Sequence, residues 1–191
     1  MHVHLTTPVI IVIAVIVVAV IAAIVAYAAW RHKHREKLQR RFGPEYDRAV
    51  AAHGSERKAE AALENRQKRV ESLPLRDLAP GERERFLERW KSVQLAFVDS
   101  PRGALTEADD VVSAAMQARG YPVADFEQRA ADISVDHPRV TENYRAAHAI
   151  EARLAAGQAT TTEDMRTAMI HYRALFDELV QPAVTEHRDA A

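Results

Sequence analysis

The sequence predicts an all-α protein with one N-terminal transmembrane helix, a polar stalk helix, and a compact bundle of about four to five antiparallel helices. An unbroken apolar run near the N-terminus predicts the membrane helix. Beyond that run, apolar residues recur every three or four positions, as on one face of a helix. No stretch alternates with period two for long enough to indicate a strand, and the short connections favour antiparallel neighbours.

The predicted transmembrane helix covers residues 9–30. From Val9 to Ala29 every side chain is apolar apart from the hydroxyl of Tyr27. At about 1.5 Å per residue this run spans roughly 31 Å, close to the ~30 Å hydrocarbon core of a bilayer. Tyr27 and Trp30 lie at its C-terminal end, where amphipathic rings prefer the membrane interface.

Basic residues directly follow the predicted span. Residues 31–41 carry one acid, Glu36, whereas residues 1–8 contain no Asp, Glu, Lys or Arg. The positive-inside rule then predicts an N-terminus outside and a soluble domain in the cytoplasm. Arginine far outnumbers lysine and alanine is abundant, which suggests a GC-rich bacterial genome, so the expected membrane is the bacterial inner membrane. The same cluster could bind anionic lipid headgroups, at about 1 kcal/mol per side chain. Its members are Arg31, Lys33, Arg35, Lys37, Arg40 and Arg41.

A cleaved signal peptide is the competing interpretation of the N-terminus. Residues 26–28, Ala-Tyr-Ala, resemble a small-x-small cleavage site. A signal peptide, however, needs a basic leading region and an apolar core of about 7–15 residues. This segment lacks the first and exceeds the second, so the sequence favours a retained anchor. Whether the segment is ever cleaved stays open.

Residues 31–73 form a basic juxtamembrane segment and a polar stalk helix in this interpretation. Gly43-Pro44 interrupts the first helix, and a new helix can begin at Pro44. The run from Glu56 to Glu71 is very polar, with only Leu63 and Val70 as large apolar residues. We expect a solvated helix there, or one that pairs weakly with a partner.

The predicted bundle covers residues 74–181, and residues 182–191 are a predicted disordered tail. Its first helix carries Phe86, Trp90, Val93 and Phe97 on one stripe, which predicts a buried face with Trp90 at its centre. Ser100-Pro101, Gly120, Asp136 to Pro138, Gly157 and Thr161 then mark helix boundaries.

The composition excludes several kinds of chemistry. Without cysteine the chain has no disulfide, zinc-thiolate or iron–sulfur site, and a net charge of −1 gives no basic field for nucleic acid. His-Glu-x-x-His and Glu-x-x-His are absent, and six glycines form no phosphate loop. His148 and Glu151 lie three residues apart, as in a common helix-surface pair. We therefore predict no catalytic residue, cofactor or metal site.

The region from Gly120 to Arg145 mixes aromatic residues, arginines, acids and prolines. Tyrosine and arginine are typical anchors of protein interfaces, so this region is a candidate partner surface. The alternative is that its aromatic residues belong to the core and its charged residues form caps and ion pairs. The candidate surface residues are Tyr121, Arg129, Asp132, Asn143 and Arg145.

Several phrases of the sequence resemble a group of uncharacterised bacterial membrane-anchored proteins with a small helical domain. They are Arg-Phe-Gly-Pro-Glu-Tyr-Asp-Arg at 41–48, Arg-Gly-Tyr-Pro at 119–122, the segment 125–138, and Asn-Tyr-Arg-Ala-Ala-His at 143–148. The resemblance covers most of residues 41–180. It implies the same architecture, and the group has no established activity to carry over.

Together these observations predict a non-enzymatic, membrane-anchored helical adaptor or scaffold that holds a protein partner near the bilayer. Two alternatives stay open. One is a small-molecule sensor or enzyme with a site between helices, for example around Arg129, Tyr144 and His148. The other is an accessory subunit of a larger membrane complex that uses the 56–71 helix as a strut. Exposed apolar area on the bundle would favour the partner-binding classes.

Overall fold

The computed structural model describes residues 7–181, and side chains at position 12 and from 14 onward. These residues form eight α-helices and no strand, which confirms the predicted all-α class. The tail predicted at 182–191 and most of the N-terminal segment predicted at 1–8 lie outside the described residues. The helices are α1 Thr7–Phe42, α2 Pro44–His53, α3 Glu56–Glu71, α4 Pro80–Asp99, α5 Pro101–Ala118, α6 Phe126–Asp136, α7 Pro138–Ala155 and α8 Thr162–Val180.

The chain divides into two compact units, Met1–Arg41 and Phe42–Ala191. In the described part of the first unit, the apolar residues run on one continuous helix into the basic segment. By length and composition, the stretch Ala14–Phe42 could cross a membrane, and it is the one such helix among the described residues.

The second unit is a helical bundle in which α5, α7 and α8 pack against one another. Helix α4 packs on α5 and α8, and the five helices α4 to α8 correspond to the predicted bundle. Fully buried side chains at its centre include Leu105, Tyr144, Tyr172 and Phe176. The predicted burial of Trp90 is confirmed: it is 4% exposed and its ring stacks on Phe176 at a centroid distance of 4.6 Å.

Helix α3 also belongs to this unit, because it packs against α2 and α6. Its polar composition led us to expect a solvated stalk, but Ala59 and Leu63 are fully buried and Val70 is 2% exposed. The hydroxyl of Tyr46 on α2 donates a hydrogen bond to Glu60, at 3.2 Å. A narrow apolar stripe, together with polar contacts of this kind, therefore docks the helix.

Local signals in the sequence explain the helix boundaries. Proline occupies the first turn of α2, α4, α5 and α7, where its missing N–H costs nothing. At the start of α8, the Thr161 hydroxyl accepts from the Asp164 N–H, and the Asp164 carboxylate accepts from the Thr161 N–H. Gly120 follows α5 with φ +98°, and a Cβ there would lie 2.5 Å from the Pro74 carbonyl oxygen, so only glycine fits.

Candidate functional site

An apolar groove runs between α4 and α8. The volume of this groove is about 190 Å³. Trp90 and Met169 are largely buried in its lining, whereas Ile170 is 60% exposed. The lining residues are Trp90, Gln94, Phe97, Arg166, Met169, Ile170 and Arg173.

Helix α4 also carries apolar residues that its two neighbours leave uncovered and that lie outside the lining of the groove. Trp90 and Val93 face α5 and α8 and are buried. Leu87, Leu95 and Val98 stay 47%, 66% and 82% exposed. A helix with apolar side chains on several faces normally lies inside a protein, so this excess apolar surface indicates an interaction site.

The edge of the groove on α8 is basic. Arg166 pairs with Glu163 at 2.6 Å and Arg173 pairs with Asp177 at 3.3 Å, both within one helical turn. Exposed pairs of this kind contribute about 0–1 kcal/mol, so both guanidinium groups can exchange partners at little cost. No acid is among the residues that line the groove. Carboxylates of an acidic ligand can therefore replace Glu163 and Asp177 as the partners of these two arginines.

Arg145, one of the sequence-predicted surface residues, lies in a buried ion-pair network. Its Nε and Nη2 donate to the two carboxylate oxygens of Glu45 at 2.7 and 3.2 Å, and Nη1 donates to Glu127 at 2.7 Å. Arg145 is 9% exposed and Glu45 is 4% exposed. This bidentate contact connects α7 with α2, and the contact with Glu127 adds α6.

Two further arginines reach the same Glu45 carboxylate. Arg66 on α3 donates to it at 3.4 Å and to the hydroxyl of Ser134 at 3.0 Å, and Arg48 approaches it at 3.3 Å. Burial lowers the pKa of Arg66 despite Glu45. Burial also acts to lower the pKa of Arg145, but its hydrogen bonds to Glu45 and Glu127 outweigh burial and raise it. One buried carboxylate thus joins three helices through arginine.

Two other predicted surface residues, Asp132 and Tyr121, are also buried. Asp132 is 1% exposed, forms an ion pair with Arg69 of α3 and accepts from Gln128 at 3.1 Å. The Tyr121 hydroxyl donates to Asp136 at 2.9 Å, and burial followed by the charge of Asp136 raises the pKa of Tyr121.

The last two predicted surface residues, Asn143 and Arg129, are partly buried. The Asn143 side-chain oxygen lies 3.1 Å from His171 Nδ1, and Arg129 donates to Asp109 at 3.3 Å. The five candidates therefore lie at separate places, each with a contact inside the chain. Their role as a partner surface stays a prediction.

Arg129 belongs to a second cluster of polar side chains, which we call the α5–α7 cluster. It consists of Asp109, Ser113, Arg129, Tyr144, His148, Glu151 and Tyr172. Five of these side chains each have a buried polar atom with no hydrogen-bond partner in the described structure: Asp109 Oδ1, Ser113 Oγ, Arg129 Nε, Tyr144 Oη and His148 Nδ1. Unsatisfied buried polar atoms are uncommon, so their concentration at one place is notable.

Burial dominates the electrostatics of the α5–α7 cluster. It raises the pKa of Tyr144, with Asp109 as the next contribution, and it raises the pKa of Tyr172. Burial lowers the pKa of His148, which favours the neutral imidazole. Burial also raises the pKa of Glu151, although the Tyr172 hydroxyl donates to this carboxylate at 2.7 Å.

The predicted interface residues of the membrane helix all lie on α1. Tyr27 and Trp30 are exposed and their rings are 6.2 Å apart. The six basic residues follow on the same helix, where Glu36 pairs with Arg40 at 3.8 Å. The described helix thus carries the aromatic pair and the basic segment in direct succession.

Sequence reasoning missed the α8 side of the groove and the α5 side of the polar cluster. Ile170 sits within the apolar periodicity of α8, and Asp109 lies among polar residues of α5. The residues around each position in the sequence give no indication of a site, because the site forms only where a helix from a distant part of the chain packs against it. The sequence suggested a site between helices around Arg129, Tyr144 and His148, and these three side chains lie together in the α5–α7 cluster. Glu151 was expected only to pair with His148 on the helix surface.

Comparison of the chain with models of protein families, with curated proteins and with solved structures finds no match. The resemblance to bacterial membrane-anchored proteins therefore stays a prediction, and the functional argument rests on the site geometry.

Proposed function

We propose that this chain is a membrane-anchored, non-enzymatic adaptor whose groove between α4 and α8 holds an acidic amphipathic helix of a partner protein. The groove is the observation that carries the proposal. It places the side chains of Phe97 and Ile170 beside two exposed arginines, above the buried ring of Trp90. Arginine is one of the residue types that most often dominate binding energy at protein interfaces.

The shape of the groove favours a helix as the ligand. Two packed helices form its walls, and a third helix can lay an apolar stripe of i, i+3, i+4 and i+7 residues between them. Arg166 and Arg173 lie seven residues apart on α8, two turns along one edge. Acidic side chains two turns apart on the partner helix would then reach both guanidinium groups.

The N-terminal helix supplies the anchor in this proposal. Its apolar stretch is long enough to span a bilayer, and the basic residues after Trp30 support a cytoplasmic position for the bundle. The same residues can bind anionic headgroups. A tether of this kind raises the concentration of the groove near the membrane, so a modest affinity is sufficient to recruit a membrane-associated partner.

Photo-crosslinking from the groove tests this function. The full-length chain in its native membrane carries a photoreactive amino acid at Gln94, an exposed groove residue. We expect crosslinks to an acidic amphipathic helix of one partner protein, identified by mass spectrometry of the crosslinked peptide. Ile170→Glu should reduce the crosslink about tenfold, equivalent to ~1.4 kcal/mol, because it places a negative charge where an apolar acidic helix docks.

Val123→Glu is the matched control, because Val123 is 79% exposed and lies outside the groove. Both substitutions are at exposed positions and should change the free energy of unfolding by less than about 0.5 kcal/mol. Crosslinks to a second copy of this chain or to lipid, or equal loss in both variants, would contradict the proposal.

A further inference from the structure

We propose that Asp109, His148 and Glu151 bind a divalent transition-metal ion, a role that is independent of the groove. Asp109 lies on α5, while His148 and Glu151 lie one turn apart on α7. One ligand atom from each residue lies within 4.8 Å of the other two. Two helices that pack against each other in the core of the bundle thus bring one imidazole and two carboxylates together.

The hydrogen bonding of this trio leaves ligand atoms available. Arg129 donates to Oδ2 of Asp109 at 3.3 Å, whereas Oδ1 is buried without a partner. Nδ1 of His148 is likewise buried without a hydrogen bond, at 3.8 Å from the Glu151 carboxylate. A bound cation would satisfy both atoms, which otherwise carry the cost of burial with no compensating contact.

Two neighbouring hydroxyl groups point independently to a ligand. Tyr144 is fully buried and Ser113 is 8% exposed, and no hydrogen bond of good geometry engages either hydroxyl in the described structure, although Ser113 and Arg129 lie near enough to the Tyr144 hydroxyl to act on its pKa. Both belong to the α5–α7 cluster and neither is one of the three proposed ligands. Three protein ligands leave a position on the ion for water, and these hydroxyl groups can hydrogen-bond that water.

Two neighbouring side chains restrain members of the trio. The Tyr172 hydroxyl donates to Glu151 at 2.7 Å and fixes its carboxylate. The ring of Phe126 stacks on the His148 imidazole with a centroid distance of 3.6 Å and fixes its plane. Losing a hydrogen bond that orients a metal ligand commonly lowers metal affinity by about 10- to 100-fold.

The ligand types select the class of ion. Imidazole nitrogen with carboxylate oxygen suits Zn²⁺, Mn²⁺ or Fe²⁺, whereas Mg²⁺ and Ca²⁺ prefer sites made of oxygen alone. Ligands at about 2.1 Å from a tetrahedral ion lie about 3.4 Å apart, so the trio contracts when the ion binds. Arg129 pairs with the Asp109 carboxylate, and a divalent cation would balance the second carboxylate, that of Glu151.

Zinc binding to the chelator-treated full-length chain in zwitterionic nanodiscs tests the site. The matched ligand variants Asp109→Asn and Glu151→Gln keep the side-chain shape and remove a charged oxygen ligand. We expect titration calorimetry with Zn²⁺ to show at least a tenfold lower affinity in each variant. The control His171→Ala removes a histidine that contacts Asn143 outside the trio and should leave that affinity unchanged.

X-ray absorption of the wild-type chain with one equivalent of Zn²⁺ gives a second readout that does not depend on the folding of any variant. We expect one imidazole nitrogen and otherwise oxygen around the zinc. A shell with two imidazoles, which this single-histidine trio cannot supply, would overturn the proposal. So would unchanged Zn²⁺ affinity in both ligand variants, or no zinc binding at all.

Discussion

At the scale of single residues, the bundle depends on how it accommodates the buried carboxylate of Glu45. A buried charge without partners is very costly, and this one has three arginines around it. Arg145 makes the closest contact and the only bidentate one described at this carboxylate, with a planar fork that lysine cannot reproduce. Arg145 therefore stabilises the fold chiefly by neutralising the buried carboxylate of Glu45.

We predict that Arg145→Met destabilises the fold by about 3 kcal/mol. Methionine fills similar space but leaves Glu45 without its bidentate partner, and breaking a buried pair typically costs ~3–5 kcal/mol. We expect the lower end because Arg48 and Arg66 still reach the carboxylate. Chemical denaturation of the full-length chain gives the free energy of unfolding.

Arg166→Met is the control for this change, since the Arg166 side chain is 63% exposed and pairs only within its own helix turn. It should shift the free energy of unfolding by less than about 0.5 kcal/mol. Equal denaturation midpoints for the Arg145 variant and the parent would show that the network adds nothing to stability.

The sequence could single out Arg145 but could not reveal its partner. Arginine among aromatic residues and prolines is noticeable in the sequence, and this pattern suggested a partner surface. Glu45 lies 100 residues earlier in the chain, in a short helix whose first-turn acids look like ordinary dipole partners. Asp109 beside His148 poses the same difficulty. A polar site formed by helices that are distant in sequence produces no periodic pattern of residues from which it could be predicted.

At the scale of the helices, the boundaries were predictable because caps and prolines mark them locally. The bounds expected for the 56–71 helix match α3, and the expected start at Pro44 matches α2. Burial of α3 was not predictable in the same way. Its docking depends on Ala59, which any helix tolerates, and on ion pairs from Arg66 and Arg69 to α2 and α6.

We predict that Leu63→Ala on α3 destabilises the bundle by about 2–5 kcal/mol. Leu63 is fully buried, so the substitution loses its transfer energy and leaves a cavity. Leu95→Ala on α4 is the matched control: it is the same substitution in a helix, at a residue that is 66% exposed. It should change stability by less than about 0.5 kcal/mol. Thermal melts followed by circular dichroism compare the two, and equal melting temperatures would mean that α3 is a free stalk.

At the scale of the whole molecule, the first part of the chain carries side chains suited to lipid and the second part carries side chains suited to water. The described apolar side chains of α1 from Ala14 to Trp30 are all exposed and follow one another without interruption. The second unit buries most of its large apolar residues, and those that stay exposed are Val123 and a group on α4 and α8. An adaptor of this design would use the first surface for lipid and the second for protein.

We predict that the bundle is cytoplasmic and that the basic segment determines this topology. A fluorescent protein fused after Ala191 should fluoresce in bacterial cells, and alkaline phosphatase fused at the same position should be inactive. The physical reason is that residues 31–41 contain six lysines and arginines and one acid, whereas residues 1–8 contain no lysine, arginine, aspartate or glutamate. Exchanging those six for glutamine and adding four lysines before Pro8 should reverse both signals, because the positive flank then lies at the other end of an unchanged span.

High phosphatase activity from the unmodified chain would instead place the groove on the far side of the membrane. Recruitment of a cytoplasmic partner would then be impossible.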